Sequence, residues 1–366
     1  MTKKEITEIK RTLKADKCCI DKVCACYVTP DKEKTTIPVN AFAALSDEEM
    51  EQYLGIFKKS LSGSVGKQLH GLEFPLDAEK DGGSQKLLYD LNKSGLSDTD
   101  KVEELFDKII ESYESDDYYC ILIMHSNYDV MTKSSDDADL GSDEVYSHII
   151  CSICPTNLSK AALSYNQDDN KLEDSERAWV IDMPKCAFLF PSFNDRTTDI
   201  HEVLVYNKKP SELDGGIIEG VLGCTLPVSA DAQAEAFVQA AQAAFDDKMT
   251  YEQACAIQDA LYDQLETASD DDSLTVSMMT VEHALTTSNA SDVNAFSDTC
   301  KELIGNTDML IENVIDKKKF VVKTDNITIT ANPTVKGLIS VQEIDGRKCI
   351  VISPDSDIAV NGLVTR

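Results

Sequence analysis

Four short runs rich in β-branched and aromatic residues lie close together in the middle of the chain: Tyr118–His125, Val145–Cys154, Cys186–Phe193 and Glu202–Tyr206. The stretches between them, such as Ser134–Glu144 and Asn166–Glu176, are short and acidic or rich in Asn and Ser. A parallel strand pair needs a crossover of a dozen or more residues, usually a helix, whereas an antiparallel pair closes with a short loop. The spacing therefore predicts an antiparallel meander sheet rather than βαβ units.

The elements around that block follow from local signals. Thr2 and Glu5 form a capping-box pattern ahead of Ile6, Ile9 and Leu13, so a short amphipathic helix opens the chain. Residues 22–28 and 33–39, joined by Thr29–Lys32, read as a hairpin. Ser46 and Glu49 make a second capping box for a helix running to Gly63, and Gln85–Leu91 is a short helix stopped at Gly95. The clearest helix is Asp100–Ser115, where Val102, Leu105, Phe106, Ile109, Ile110 and Tyr113 keep the i, i+3, i+4 rhythm behind a cap at Asp100 and Glu103.

Beyond Pro227 the texture turns to Ala, Gln and Asp, predicting paired helices at Asp231–Asp247 and Tyr251–Thr267. An Asp270–Asp272 break follows, with weaker helical patterns to Ile315. Period two returns at Phe320–Lys323, Ile327–Ala331, Leu338–Ile344 and Lys348–Ser353, with Asp345-Gly346 as a two-residue hairpin turn. The expected fold is α+β: a helix-plus-sheet domain over 1–225, an acidic helical section over 226–315 and a small β module over 316–366.

Charge is segregated along this plan. The chain has 65 acidic and 35 basic side chains, a formal −30. Thr225–Ile315 holds seventeen Asp and Glu against two Lys, whereas residues 1–60 hold ten acids and eleven bases. Such a pattern bears on partners and salt response, not on a reaction. No eighteen-residue apolar stretch exists, so no membrane span is expected. The N-terminus lacks the apolar core of a secretory signal. Twelve scattered cysteines then read as reduced thiols, and the expected location is the cytoplasm.

Several patterns invite chemistry, each beside a structural reading. His148, Cys151 and Cys154 have zinc-ligand residue types. They sit inside a β-branched run, however, where residues three apart point to opposite faces, so buried structural thiols are the better reading. The segment Ser62–Gln68 resembles a phosphate loop but has Leu61 where the first glycine belongs and Gln68 where the hydroxyl belongs. A hydrolase would use His125 or His148 with Asp129 or Asp195, and Ser126 or Cys151 as nucleophile. Asp195 and Arg196 form either a ligand clamp or a polar turn with a local ion pair. Three basic islands stand out on an acidic chain: Lys10, Arg11 and Lys14, with Lys3, Lys4 and Lys17; Lys58, Lys59 and Lys67; and Lys317, Lys318 and Lys319. They suit a phosphate backbone, or equally the acidic helices of this chain or of a second subunit.

The segments KKEITEIKR at Lys3–Arg11, FKKSLSG at Phe57–Gly63, IICSICP at Ile149–Pro155, ALSY at Ala162–Tyr165 and FLFPSFNDR at Phe188–Arg196 are specific in combination. With Ile344–Ile352 and Val360–Gly362 at the close, the chain resembles a full-length family of clostridial, Gram-positive bacteria classed as a domain of unknown function. That resemblance transfers no catalytic residue. A fainter one, carried by the order of elements and by Lys317–Lys323, is to bacterial nucleoid-associated proteins. The function expected is non-catalytic binding or scaffolding through the opposed acidic and basic surfaces, with a protein partner or self-association and no cofactor. Nucleic-acid binding through the lysines is the alternative, and a hydrolase or zinc site around His148, Cys151 and Cys154 a further one.

Overall fold

The computed structural model describes residues 1–17, 19–133, 139–267, 274–360 and 362–365. Cys18, the centre of the acidic stretch at 134–138 and the Asp270–Asp272 run lie outside the described residues. The fold is α+β, and the chain divides into two compact units, Met1–Ser229 and Ala230–Arg366. The acidic helices and the terminal strands thus fall within a single unit.

Among the described residues the first unit contains twelve strands. In chain order they are β1 (Ile20–Val28), β2 (Lys34–Ala41), β3 (Leu69–Glu73), β4 (Tyr119–Lys133), β5 (Asp139–Leu158), β6 (Leu163–Asn166), β7 (Lys171–Asp174), β8 (Trp179–Ile181), β9 (Cys186–Phe190), β10 (Ser192–Asn194), β11 (Thr197–Asp199) and β12 (Glu202–Asn207). Its helices are α1 (Lys3–Thr12), α2 (Asp47–Ser60), α3 (Ser84–Ser94) and α4 (Thr99–Ser112), followed by a π-helical turn at Gly216–Val221. The main sheet has the order β2-β1-β4-β5-β9-β12-β3, and every neighbouring pair is antiparallel. The meander expected between residues 118 and 206 is its centre, with β8 pairing only the far end of β5.

Helices cover both faces of this sheet. Ile121, Ile123, Ile149, Cys151 and Phe188 point to one face, under Leu88 and Leu91 of α3 and Phe106 and Ile109 of α4. Cys120, Leu122, Met124, Ile150 and Cys154 point to the other, under Ile6 and Ile9 of α1 and Leu54 and Phe57 of α2. An antiparallel strand covered on one side alternates apolar with polar. Covered on both sides, β4 reads as the unbroken run Cys120–Met124, and each such fully buried large side chain contributes roughly 1.5–3 kcal/mol.

Local signals hold at most helix ends. Both capping boxes form: the Thr2 amide donates to Glu5 Oε2 at 2.6 Å and the Ser46 amide to Glu49 Oε2 at 2.9 Å. Gly95 takes the left-handed conformation that closes α3, at φ +56°. The start of α4 differs from expectation, because Asp98, in extended conformation, accepts from the Lys101 amide at 3.3 Å and caps the helix two residues before Asp100. The ladder between β4 and β5 also runs well past the apolar runs, from Ser126 opposite His148 to Lys133 opposite Asp139. Residues 139–144, expected as loop, are therefore strand. Backbone pairing carries this arm, which exposes Asn127, Asp129 and Val145, so no unbroken apolar run marks it in the sequence. Within Asn166–Glu176, also expected as loop, β7 pairs with β6 as an exposed hairpin.

The second unit has helices α5 (Ala230–Ala243), α6 (Tyr251–Thr267), α7 (Met278–Thr287), α8 (Val293–Ile304) and α9 (Ile311–Val314); α5 packs on α8, where the Phe237 and Phe296 rings meet edge to face at 5.4 Å. Three two-stranded hairpins follow: β13 (Phe320–Lys323) with β14 (Thr328–Ala331), β15 (Ile339–Ile344) with β16 (Arg347–Ile352), and β17 (Ala359–Val360) with β18 (Leu363–Val364). Asp345 and Gly346, both at positive φ, turn the second as expected. The Tyr251 hydroxyl donates to the Ile339 carbonyl at 3.1 Å, tying that hairpin to α6.

Candidate functional site

A cluster of titratable and polar side chains lies at the end of the sheet where β1, β4 and β5 meet the C-terminus of α3. Ile20 pairs with Ser126 and Lys22 with His125, which leaves Asp21 as an extra residue without a ladder partner. A bulge of this kind turns a side chain away from its normal alternation. Here it delivers the Asp21 carboxylate to His125, with Nδ1 to Oδ1 at 2.7 Å. The other ring nitrogen, Nε2, lies 2.9 Å from the Ser147 hydroxyl oxygen. An ionised carboxylate only accepts, so Nδ1 carries a proton, and the Ser147 hydroxyl has two acceptors in reach, His125 Nε2 at 2.9 Å and Asn92 Oδ1 at 3.5 Å.

The surrounding groups hold that geometry. Asn92, in the last turn of α3, donates its amide to the Ser147 carbonyl at 2.9 Å. Gly95 packs on the imidazole so closely that a Cβ there would stand 3.4 Å from His125 Cε1. Asn127 is the cross-strand partner of Ser147, and its amide nitrogen reaches Asp21 Oδ2 at 3.4 Å. The Lys22 ammonium, beside His125 in the ladder, bonds the Ser97 hydroxyl. His125 is buried, Ser147 half-buried, Asn127 exposed, and the Asp21 side chain 43% exposed. Solvent therefore reaches one side of the array.

His148, one residue further along β5, has a different fate. It is fully buried, stacks on Tyr146 with ring centroids 4.5 Å apart, and burial pushes its pKa down to about 3. Its Nε2 has no hydrogen-bond partner among the described residues. Strand alternation puts Cys154 with it on the α1–α2 face and Cys151 on the opposite face, so the three zinc-type residues are not brought together. Among the described residues no group of three or more His, Cys, Asp or Glu side chains is placed to hold a metal ion. Cys151 is held protonated, its pKa raised by complete burial and then by the neighbouring Cys24 and Cys154. The Ser126 hydroxyl is also buried and unpartnered. Asp129 and Asp195 take no part in the His125 array, and His70, His201 and His283 lie elsewhere, two of them bonded to the Lys67 carbonyl and to Glu79.

The turn at Asp195 and Arg196 joins β10 to β11, both residues at positive φ. Arg196 does not pair with Asp195. Its Nε and Nη2 meet both carboxylate oxygens of Glu8 at 3.1 and 2.8 Å, and its amide donates to Glu5 Oε1 at 3.3 Å, locking the turn onto α1.

Two of the basic islands converge. Lys10 and Arg11 occupy the last turn of α1, and Lys58 and Lys59 the last turn of α2, where cations complement the helix dipole. The two helices cover the same sheet face, and α2 packs against the turn at Ala15–Lys17 that follows α1. The Lys10 ammonium is held below its ordinary pKa by partial burial, then by Lys59 and Lys58 beside it. Among the described residues none of these three lysines has a carboxylate partner, on a chain with 65 acidic side chains. Lys14 is exposed and Lys67 half-buried. In the second unit Lys317 pairs with Glu312, Lys318 and Lys319 are exposed, and Lys319 lines a cleft of about 420 Å³ with Tyr251, Cys255 and Phe320.

Sequence reasoning named His125 but not Asp21, Ser147, Asn92 or Asn127. Asp21 reaches the site only through the bulge, and Ser147 only through the β4–β5 register, which no local pattern encodes.

A family described as a domain of unknown function, DUF4317, matches this chain. The family model matches residues 1–363, and the chain belongs to that family. No curated protein matches it. No helix among the described residues is long and apolar enough to cross a membrane.

Proposed function

We propose that this chain is a binding protein that assembles with a second copy of itself, the basic face of α1 and α2 on one copy meeting the acidic helices of another. The observation that carries the reading is the convergence of Lys10, Lys58 and Lys59, which have no carboxylate partner among the described residues. Mutually repelling ammonium groups left unpaired on an acidic chain are stabilised when an anionic surface covers them. The net −15 of Thr225–Ile315 supplies such a surface on the same polypeptide.

Light scattering after gel filtration tests it. Assembly is expected at about 50 mM salt and dissociation at about 500 mM, because exposed charges are screened within a few ångströms at high salt. The variant carrying Lys10→Glu, Lys58→Glu and Lys59→Glu is expected to stay monomeric throughout. A wild-type chain that is monomeric at low salt removes the proposal. The same unpaired lysines favour a second reading, binding to a phosphate backbone. Under it, duplex DNA is retarded at low salt with a log–log salt slope near −3 from three contacts, and the triple variant loses the shift.

A further inference from the structure

The array at the end of β1, β4 and β5 has a chemistry that the basic face does not use. We propose that Asp21, His125 and Ser147 form a nucleophilic site that cleaves small carboxylic esters, with Ser147 as nucleophile, His125 as base and Asp21 as the residue that orients the imidazole. The connectivity is the one such catalysis needs: carboxylate to Nδ1 at 2.7 Å, and Nε2 to the hydroxyl at 2.9 Å. It is reached without a shared motif, from three strands and one bulge, as this constellation is recognised by geometry and roles rather than by chain order.

The site also holds donors suited to a developing oxyanion. Asn127 stands opposite Ser147 on the neighbouring strand, exposed, with one amide hydrogen directed to Asp21 and the other free of any bond among the described residues. A side-chain amide beside the nucleophile stabilises the negative oxygen of a tetrahedral intermediate. The half-buried hydroxyl and the exposed side chains of Asp21 and Asn127 give an open approach, which suits a small acyl group presented from solvent.

The reaction balances with water as the sole co-reactant. Ser147 Oγ bonds to the acyl carbon while its proton passes to His125 Nε2. The bond to the alcohol then breaks, and the departing oxygen takes that proton, leaving acyl-Ser147. Water attacks the acyl carbon, its proton passes to His125, and Ser147 leaves and recovers it, releasing the carboxylic acid.

A fluorophosphonate probe on the intact chain, read by peptide mass spectrometry, together with the nitrophenolate burst from p-nitrophenyl acetate, tests the proposal. Wild-type protein is expected to carry the probe on Ser147 and to release about one equivalent of nitrophenolate in the burst. Ser147→Ala should lose both. His125→Gln, with a circular dichroism spectrum matching wild type, should slow the burst by at least ~100-fold, the scale of a positioned general base. Asn127→Ala should lower the burst rate ~100-fold with probe labelling still on Ser147. An unlabelled Ser147 in folded wild type, or a burst that survives Ser147→Ala, overturns it.

Discussion

His125 and His148 sit on adjacent strands of one sheet, and the structure makes them opposites. His125 is buried with both ring nitrogens engaged, one by a carboxylate and one by a hydroxyl, at an edge where solvent reaches the partners. His148 is sealed between the sheet and the α1–α2 layer against Tyr146, with one nitrogen unpartnered. The same side chain is held by hydrogen bonds on both nitrogens on one face and is an uncharged packing element on the other. The difference lies in which face the strand alternation assigns and what covers it, not in the residue.

Both faces of the sheet are packed cores, and the largest effects are expected there. Phe106→Ala under α4 and Phe57→Ala under α2, both fully buried, should each lower unfolding free energy by about 3–5 kcal/mol in urea titrations. A loss on one face alone would show that the sheet is not held from both sides.

The next largest effect is the pH dependence that His148 brings. With His148 held near 3 in the folded chain and an ordinary value near ~6.5 in the unfolded one, the unfolded state binds the extra proton as pH falls. Its contribution to stability is complete above about pH 6.5 and declines by about 1.4 kcal/mol per pH unit down to about pH 3. Between pH 6.5 and 5 the wild type should therefore lose about 2 kcal/mol more than His148→Leu, by paired urea curves. Equal slopes in the two proteins would show that His148 is not sealed.

At neutral pH the two sites should respond unequally to the same substitution. His125→Leu strands Ser147 and Asp21 and should cost about 1–3 kcal/mol. His148→Leu removes an unsatisfied nitrogen at similar volume and should stay within about 1 kcal/mol of wild type. The smallest change belongs to the turn: Arg196→Ala loses a partly exposed forked pair with Glu8 and should cost about 1 kcal/mol or less by thermal melts.

Much of this molecule was legible beforehand. The capping boxes at Thr2 and Ser46, the α4 stripe of Leu105, Phe106 and Ile109, the Gly95 stop and the Asp345-Gly346 turn depend on neighbours within four residues, and each formed. The meander followed from loop length alone. The arm at 139–144 was not legible, because long-range backbone pairing holds it without an apolar run. Nor was the Asp21–His125–Ser147 array, whose members are 104 and 22 residues apart.

The amino-acid order by itself determined the α+β class, the capped helices, the central meander and the segregation of charge, since these rest on periodicity, caps, loop lengths and counts along the chain. Only the tertiary structure decided that Lys10 meets Lys58 and Lys59, that Arg196 belongs to Glu8 rather than to its neighbour Asp195, and that a bulge hands Asp21 to His125. Strand register and layer packing set those pairings. They join residues through space after the chain has closed its loops, where no local pattern reaches.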